Sequence, residues 1–196
     1  MNTIITIGRE YGSRGRVIGE ALAKRMNVPF YDKELLLRAA EESGLCAEVM
    51  ETHDEKAMMP NFFSGGSMHM NLQMPLNQQV FLAQFDAIRK IAAEGSCVIV
   101  GRCADYVLKG QPGVTHVFVY ASMEQLVARI MEVEGVDEDK AREMIRKTDK
   151  QRKSYYNFFA DGNWGLRSNY DLMLRSDGLS PEVAADAILA FIAARP

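Results

Sequence analysis

Ile4-Ile5-Thr6-Ile7-Gly8-Arg9-Glu10-Tyr11-Gly12-Ser13-Arg14-Gly15-Arg16-Val17 is the stretch that decides the fold. Its first four residues are a β-branched run ending at a glycine, and Val17, Ala21, Leu22 and Met26 then recur at helical spacing over 16–26. The stretch reads as strand, loop, helix. In an open parallel sheet, ligands sit at the carboxyl ends of the strands, where a loop entering a helix offers backbone N–H groups to an anion. Gly12 and Gly15 permit positive φ and close backbone approach, Ser13 adds a hydroxyl, and Arg14 and Arg16 supply charge-assisted hydrogen bonds. This chemistry suits a polyphosphate. An ordinary glycine-rich connection is the other reading of the loop taken alone.

Working outward, Val28-Pro29-Phe30-Tyr31 reads as a second strand, and Asp32 is suited to cap a helix over 33–42. The spacing predicts a helix over 78–94, with Val80, Phe81, Gln84, Ile88 and Ile91 on or near one face. Cys97-Val98-Ile99-Val100 is fully apolar, as expected of a central parallel strand, and His116-Val117-Phe118-Val119-Tyr120 is a further strand. Helices are predicted over 123–134 and, after Asp137 as a cap, over 138–153. Asp171-Leu172-Met173-Leu174 forms the last strand, and Ser180-Pro181-Glu182 opens a final helix. Five short strands alternating with helices indicate an α/β fold, a parallel sheet covered on both faces.

The 196 residues suit a single domain, and 47% hydrophobic with 25% charged residues is ordinary for a globular core. A formal charge of -3 argues against a cationic field for nucleic-acid polymers. No apolar run approaches the roughly 20 residues of a membrane span, and the N-terminal residues lack a secretory pattern, which makes the cytoplasm the default expectation. Cys46, Cys97 and Cys103 lack metal-type spacing and are expected as free thiols. His53, His69 and His116 stand alone and read as non-ligands.

Against the Gly-x-x-x-x-Gly-Lys-Ser/Thr phosphate pattern, Gly15-Arg16-Val17 stands where Gly-Lys-Ser/Thr would, and Glu10 replaces the first glycine. Arginine keeps the charge but presents a planar fork, and Val17 lacks the hydroxyl that helps to hold Mg²⁺. The metal ligands are therefore unassigned.

Three segments in order, Ile5-Thr6-Ile7-Gly8-Arg9-Glu10-Tyr11-Gly12-Ser13, Pro29-Phe30-Tyr31-Asp32-Lys33-Glu34 and Val98-Ile99-Val100-Gly101-Arg102-Cys103-Ala104-Asp105-Tyr106, resemble the cytidylate kinase-like family of P-loop nucleoside monophosphate kinases. The resemblance extends over nearly the whole chain, through Asp149 with Arg152 and Tyr170-Asp171-Leu172. It implies a three-layer P-loop kinase-like fold with a lid at about 140–165, an acceptor-binding region at about 46–94, and a core of 1–45 and 95–196. It implies phosphoryl transfer from ATP, with Mg²⁺, to a nucleoside monophosphate, CMP or dCMP first. Gly8, Gly12, Ser13, Arg14, Gly15 and Arg16 would hold the donor phosphates. Asp32, Gly101, Arg102 and Asp105 would face the acceptor, and Arg16, Arg102, Arg152 and Asp32 would carry catalysis. Small-molecule nucleotides are the implied partners, and the oligomeric state is left open.

Several residues keep two readings. Arg142, Arg146 and Lys150 recur every four residues and suit either a lid over phosphates or a solvated helix face. Tyr155, Tyr156, Phe158, Phe159 and Trp164, after the basic helix, read as packing or a lid hinge before base stacking. Asp105 is a ligand or a helix cap. The methionine-rich segment 46–75 is an acceptor excursion or a surface loop. A nucleotide-binding sensor without efficient transfer, and a kinase of another small metabolite, are the competing functions.

Overall fold

A computed structural model describes residues 2–32, 35, 76–160 and 162–195. The elements expected over 33–42 and 46–75, with Cys46, His53, His69 and the methionine-rich stretch, lie outside the described residues apart from Leu35. The chain runs β1 (Ile4–Arg9), α1 (Gly15–Met26), β2 (Phe30–Tyr31), α2 (Leu76–Glu94), β3 (Cys97–Val100), α3 (Ala104–Val107), β4 (Val114–Tyr120), α4 (Met123–Glu134), α5 (Glu138–Phe159), a 3-10 turn (Arg167–Asn169), β5 (Leu172–Arg175) and α6 (Pro181–Ala193).

The five strands pair in the order β2-β3-β1-β4-β5, and every pairing is parallel. Alternation along β1 sends Ile5 and Ile7 to one face, where they pack with Ile18 and Leu22 of α1 and Ala184, Ala185 and Ile188 of α6. Ile4 joins the opposite face with Ile99, Leu35, Ile88 and Ile91. Burial on both faces is why β3 carries no polar side chain. Ser180 and Asp137 accept the third-residue N–H of α6 and α5 at 3.2 and 2.8 Å, caps worth about 1 kcal/mol each. Cys97 and Cys103 are buried thiols, and a His116 ring nitrogen lies 2.8 Å from Thr6 Oγ1. Among the described residues, no helix is long and apolar enough to cross a membrane.

One expected helix end and one expected helix face differ from the structure. The helix expected over 78–94 is present as α2, and its Ile88, Ile91 and Ala92 pack in the cluster with Ile99 of β3. Helix α5 does not stop near 153 but continues to Phe159, because Tyr155, Tyr156 and Phe159 pack with Phe81 of α2 while still helical. In α1 the buried residues are Gly15, Ile18, Gly19, Leu22 and Ala23, and Val17 is 45% exposed. The apolar face is thus turned one residue from that expected.

Candidate nucleotide site

At the carboxyl edge of the sheet, the segment after β1 folds back on itself. Glu10 N–H donates to the Val119 carbonyl at 3.0 Å, and Gly12 (φ 86°) and Arg14 (φ 63°) turn the chain into α1. Ser13 is buried, with its hydroxyl donating to the Glu10 carbonyl at 2.8 Å, and Ser176 Oγ donates to the Ser13 carbonyl at 2.8 Å. The loop is held from its outer side. No side chain caps α1, and no acidic residue occupies its first turn. Its amino end, with the partial positive charge of the helix dipole, is left available to an anion.

Gly15, Arg16 and Val17 line a cleft of about 1030 Å³. Arg9, Arg14, Arg16, Arg102, Arg129 and Arg152 all border it, against the acidic Glu10, Asp32 and Glu134. All four residues expected to carry catalysis, Arg16, Arg102, Arg152 and Asp32, are therefore brought to one cavity, as are Gly12, Arg14 and Gly15. Four other expected residues are not among its lining. Ser13 points its hydroxyl into the loop itself. Gly8 is a packing position, where a Cβ would come within 2.7 Å of the Phe118 ring. Gly101 and Asp105 border a narrow space behind Arg102 instead. Arg142 pairs with Glu138 at 2.7 Å on the outer surface of α5. Neither it nor Arg146 nor Lys150 lines the cleft, and α5 presents Thr148, Gln151 and Arg152 there.

The charges are tethered. Arg16 Nε donates to Asp32 at 2.8 Å and its Nη1 to Glu20 at 2.6 Å, while the guanidinium lies 5.7 Å from the Phe30 ring centroid. Arg152 Nη1 donates to the Arg9 carbonyl at 3.2 Å and lies 3.6 Å from Asp149. Asp149 in turn accepts the Tyr11 N–H at 2.8 Å, so α5 grips the loop directly. Glu10, in place of a glycine, accepts the Ala121 N–H at 3.1 Å, and burial pushes its carboxyl up.

Burial also pushes the Asp149 carboxyl from 3.8 to about 6, against the pull of the Tyr11 N–H and Arg152. The folded state then holds this proton more tightly than the unfolded chain. Its stabilising contribution is complete below about pH 4 and is lost as pH rises towards about 6. Asp149→Asn removes that slope and keeps a carbonyl for Tyr11. Urea unfolding at about pH 4.5 and about pH 7.5 should show the wild type losing roughly 2 kcal/mol more than the variant between the two.

A second groove of about 370 Å³ opens on the other side of the loop, bordered by Gly12, Arg14, Arg129, Gly178, Leu179 and Ser180. Arg129, Thr148 and Gln151 had escaped the sequence reading. For Arg129 the only signal was a cation at the edge of the Leu126-Val127-Ile130 apolar stripe.

The donor set fits a polyphosphate: six arginines, an uncapped helix and glycines where side chains would intrude. For Mg²⁺ the protein offers fewer ligands. Val17 faces the cleft where a hydroxyl is usual, and among the described residues no cluster of three His, Cys, Asp or Glu is suited to a metal. Asp32, nearly buried and bordering the cleft, is the carboxylate best placed to meet a metal carried by phosphates.

The fold is shared with known proteins. An uncharacterized protein from Eubacterium ventriosum, solved as a crystal structure, is 33% identical with a TM-score of 0.75, over 98% of this chain and 99% of that one. A shikimate kinase from Bacteroides thetaiotaomicron has 14% identity and a TM-score of 0.58, over 98% and 99%. A gluconokinase from Sinorhizobium meliloti 1021 has 16% and 0.53, over 98% and 93%. These last two share the fold alone. No curated protein matches the chain. The model of the cytidylate kinase-like family matches residues 4–178, which take in all five strands and both flanks of the cleft, and the chain belongs to that family.

Proposed function

We propose that this protein transfers the terminal phosphoryl group of ATP to a nucleoside monophosphate, with CMP and dCMP as first acceptors. Family membership supports a small-molecule phosphotransferase of the kinase type, and the acceptor is the finer step. The observation that carries it is the convergence of Arg16, Arg102 and Arg152 with Asp32 on one cleft at the open end of α1. Phosphoryl transfer demands positioning and neutralisation of spread negative charge more than covalent help from the protein. In this assignment Gly12, Gly15 and Arg16 hold the donor phosphates, and the groove between Arg129 and Gly178 takes the donor's nucleoside. Arg102 holds the acceptor phosphate, and α5 acts as the lid that brings Arg152 to the transferred group. Asp32 orients the acceptor or a water on Mg²⁺. The metal, bound mainly through nucleotide phosphates, would supply neutralisation of charge on the donor.

One observation favours a nucleotide-binding sensor instead. Val17 stands exposed where the metal-holding hydroxyl belongs, and the Arg16 fork is already engaged by Asp32 and Glu20. A coupled assay of ADP formation from Mg²⁺-ATP, run with CMP, dCMP, UMP, AMP and GMP in turn, separates the two. The kinase assignment expects acceptor-dependent ADP formation. Background rates with every acceptor, alongside tight and metal-independent ATP binding, would replace it with the sensor. Turnover only with a non-nucleotide acceptor would keep the kinase and discard the nucleoside monophosphate.

A further inference from the structure

Asp105 lies in the first turn of α3, three residues after Arg102, and its carboxylate accepts the Tyr156 hydroxyl at 2.7 Å. Both residues are buried, at 8% and 6% exposure. Tyr156 follows Arg152 by four residues on α5, one helical turn. A buried hydrogen bond therefore joins the two elements that carry Arg102 and Arg152 to the cleft. Asp105 does not line that cleft. It faces the space behind Arg102, between Tyr156 and Tyr170.

The turn in front of Asp105 needs such support. Gly101, Arg102 and Cys103 have φ of 78°, 58° and 55° in succession. Left-handed backbone is disfavoured for the two residues with a Cβ, and it persists only where the surroundings over-determine it. Several contacts do so. Gly101 N–H donates to the Ile7 carbonyl and Ala104 N–H to the Gly101 carbonyl, each at 3.0 Å. Cys103 packs in the cluster of Phe81, Tyr155, Tyr156 and Ala160. The Asp105–Tyr156 bond lies just beyond the strained residues and is a polar tie between this turn and α5. Asn169 Nδ2 reaches the Tyr156 hydroxyl at 3.5 Å and donates to the Asn163 carbonyl at 3.0 Å, adding the segment after α5 to the same network.

We infer that Asp105 and Tyr156 are a positioning pair, whose hydrogen bond holds the strained Gly101–Arg102–Cys103 turn against α5 and so fixes the spacing of Arg102 and Arg152. Asp105 then acts through Arg102 and does not touch the acceptor. The inference rests on the proposal that these two arginines bind phosphate.

The test uses linear inorganic pentaphosphate, which has no base, titrated calorimetrically into the full chain. Wild type, Tyr156→Phe, Arg102→Ala and the double variant form a cycle. Tyr156→Phe should weaken binding about fivefold. In the Arg102→Ala background the same change should have no further effect, because the residue it positions is gone. Asp105→Asn retains a side-chain carbonyl for the Tyr156 hydroxyl and should stay within about twofold of wild type. A general loosening of the fold would weaken binding equally in both backgrounds, and that outcome overturns the inference. So does a Tyr156→Phe variant that binds like wild type, or an Asp105→Asn variant as impaired as Arg102→Ala, which would mark a direct ligand. Absence of pentaphosphate binding by the wild type would instead overturn the phosphate site itself, and the positioning pair with it.

Discussion

Arg16→Ala is expected to lower kcat/KM for phosphoryl transfer by about a hundredfold or more, the usual effect of removing one preorganised donor from a developing charge. Arg16 is the second residue of α1, beside the uncapped amino end and in the position where lysine is usual. Its guanidinium is prealigned by Asp32 at 2.8 Å and Glu20 at 2.6 Å. Both carboxylates are on the protein's own frame, so the charge waits in the cleft without reorganisation. Arg16→Lys should recover only part of the loss, because an ammonium cannot span Asp32 and a phosphate as a planar fork does. The folded state should also lose some stability, since the exposed pair with Glu20 contributes roughly 0–1 kcal/mol but the buried Asp32 carboxylate loses its ion-pair partner. Steady-state kinetics with a thermal melt check both parts. Unaltered kcat/KM in Arg16→Ala would remove this residue from the chemistry.

Gly15→Ala is the second large effect, and it acts through shape. A Cβ at Gly15 would sit 2.5 Å from Arg9 Cβ and 3.1 Å from Arg9 Cγ. Arg9 Cβ is fixed to the end of β1, so the conflict cannot be relieved by swinging the far end of a side chain. The loop must open or α1 must move away from the sheet. Alanine improves helix propensity by up to about 1 kcal/mol, but overpacking of this kind costs roughly 1–3 kcal/mol, so a net loss of stability is expected. ATP affinity should fall about tenfold or more as the N–H groups of the loop lose register. Isothermal calorimetry with a melt measures both, and wild-type ATP affinity in Gly15→Ala would show that the loop shape is immaterial.

The fold was legible because its signals are local. The β-branched Ile4–Ile7 run, the apolar β3 and the caps at Asp137 and Ser180 all depend on neighbours in sequence. Errors arose where tertiary packing chose between local alternatives. Val17 and Ile18 are adjacent and equally apolar, and the sheet accepted Ile18 and Leu22 while Val17 turned to the cleft. The aromatic residues at 155, 156 and 159 pack, as one of their readings expects, but they do so inside the helix and not beyond an end near 153, because Phe81, more than 70 positions away, keeps them helical; its ring stacks on Phe159 at 4.0 Å. The four-residue repeat of Arg142, Arg146 and Lys150 told which residues share a face and not what that face meets.

The site divides in the same way. The glycine loop and Arg16 could be read from chemistry alone. Arg102 and Arg152 came from family resemblance. The Asp149 grip on the Tyr11 N–H spans 138 positions, and the Asp105–Tyr156 bond spans 51. No local pattern signals either contact, although both decide how α5 stands over the cleft.

The most direct test of nucleotide binding at this cleft is a crystal structure grown with a non-hydrolysable ATP analogue, Mg²⁺ and CMP. The proposed assignment requires the donor's terminal phosphate to lie against Arg16 and the first-turn N–H groups of α1, with the acceptor phosphate at Arg102 and Arg152 across the same space. A triphosphate bound away from the Gly12–Arg16 loop, or a cleft without nucleotide at saturating ligand, would contradict it.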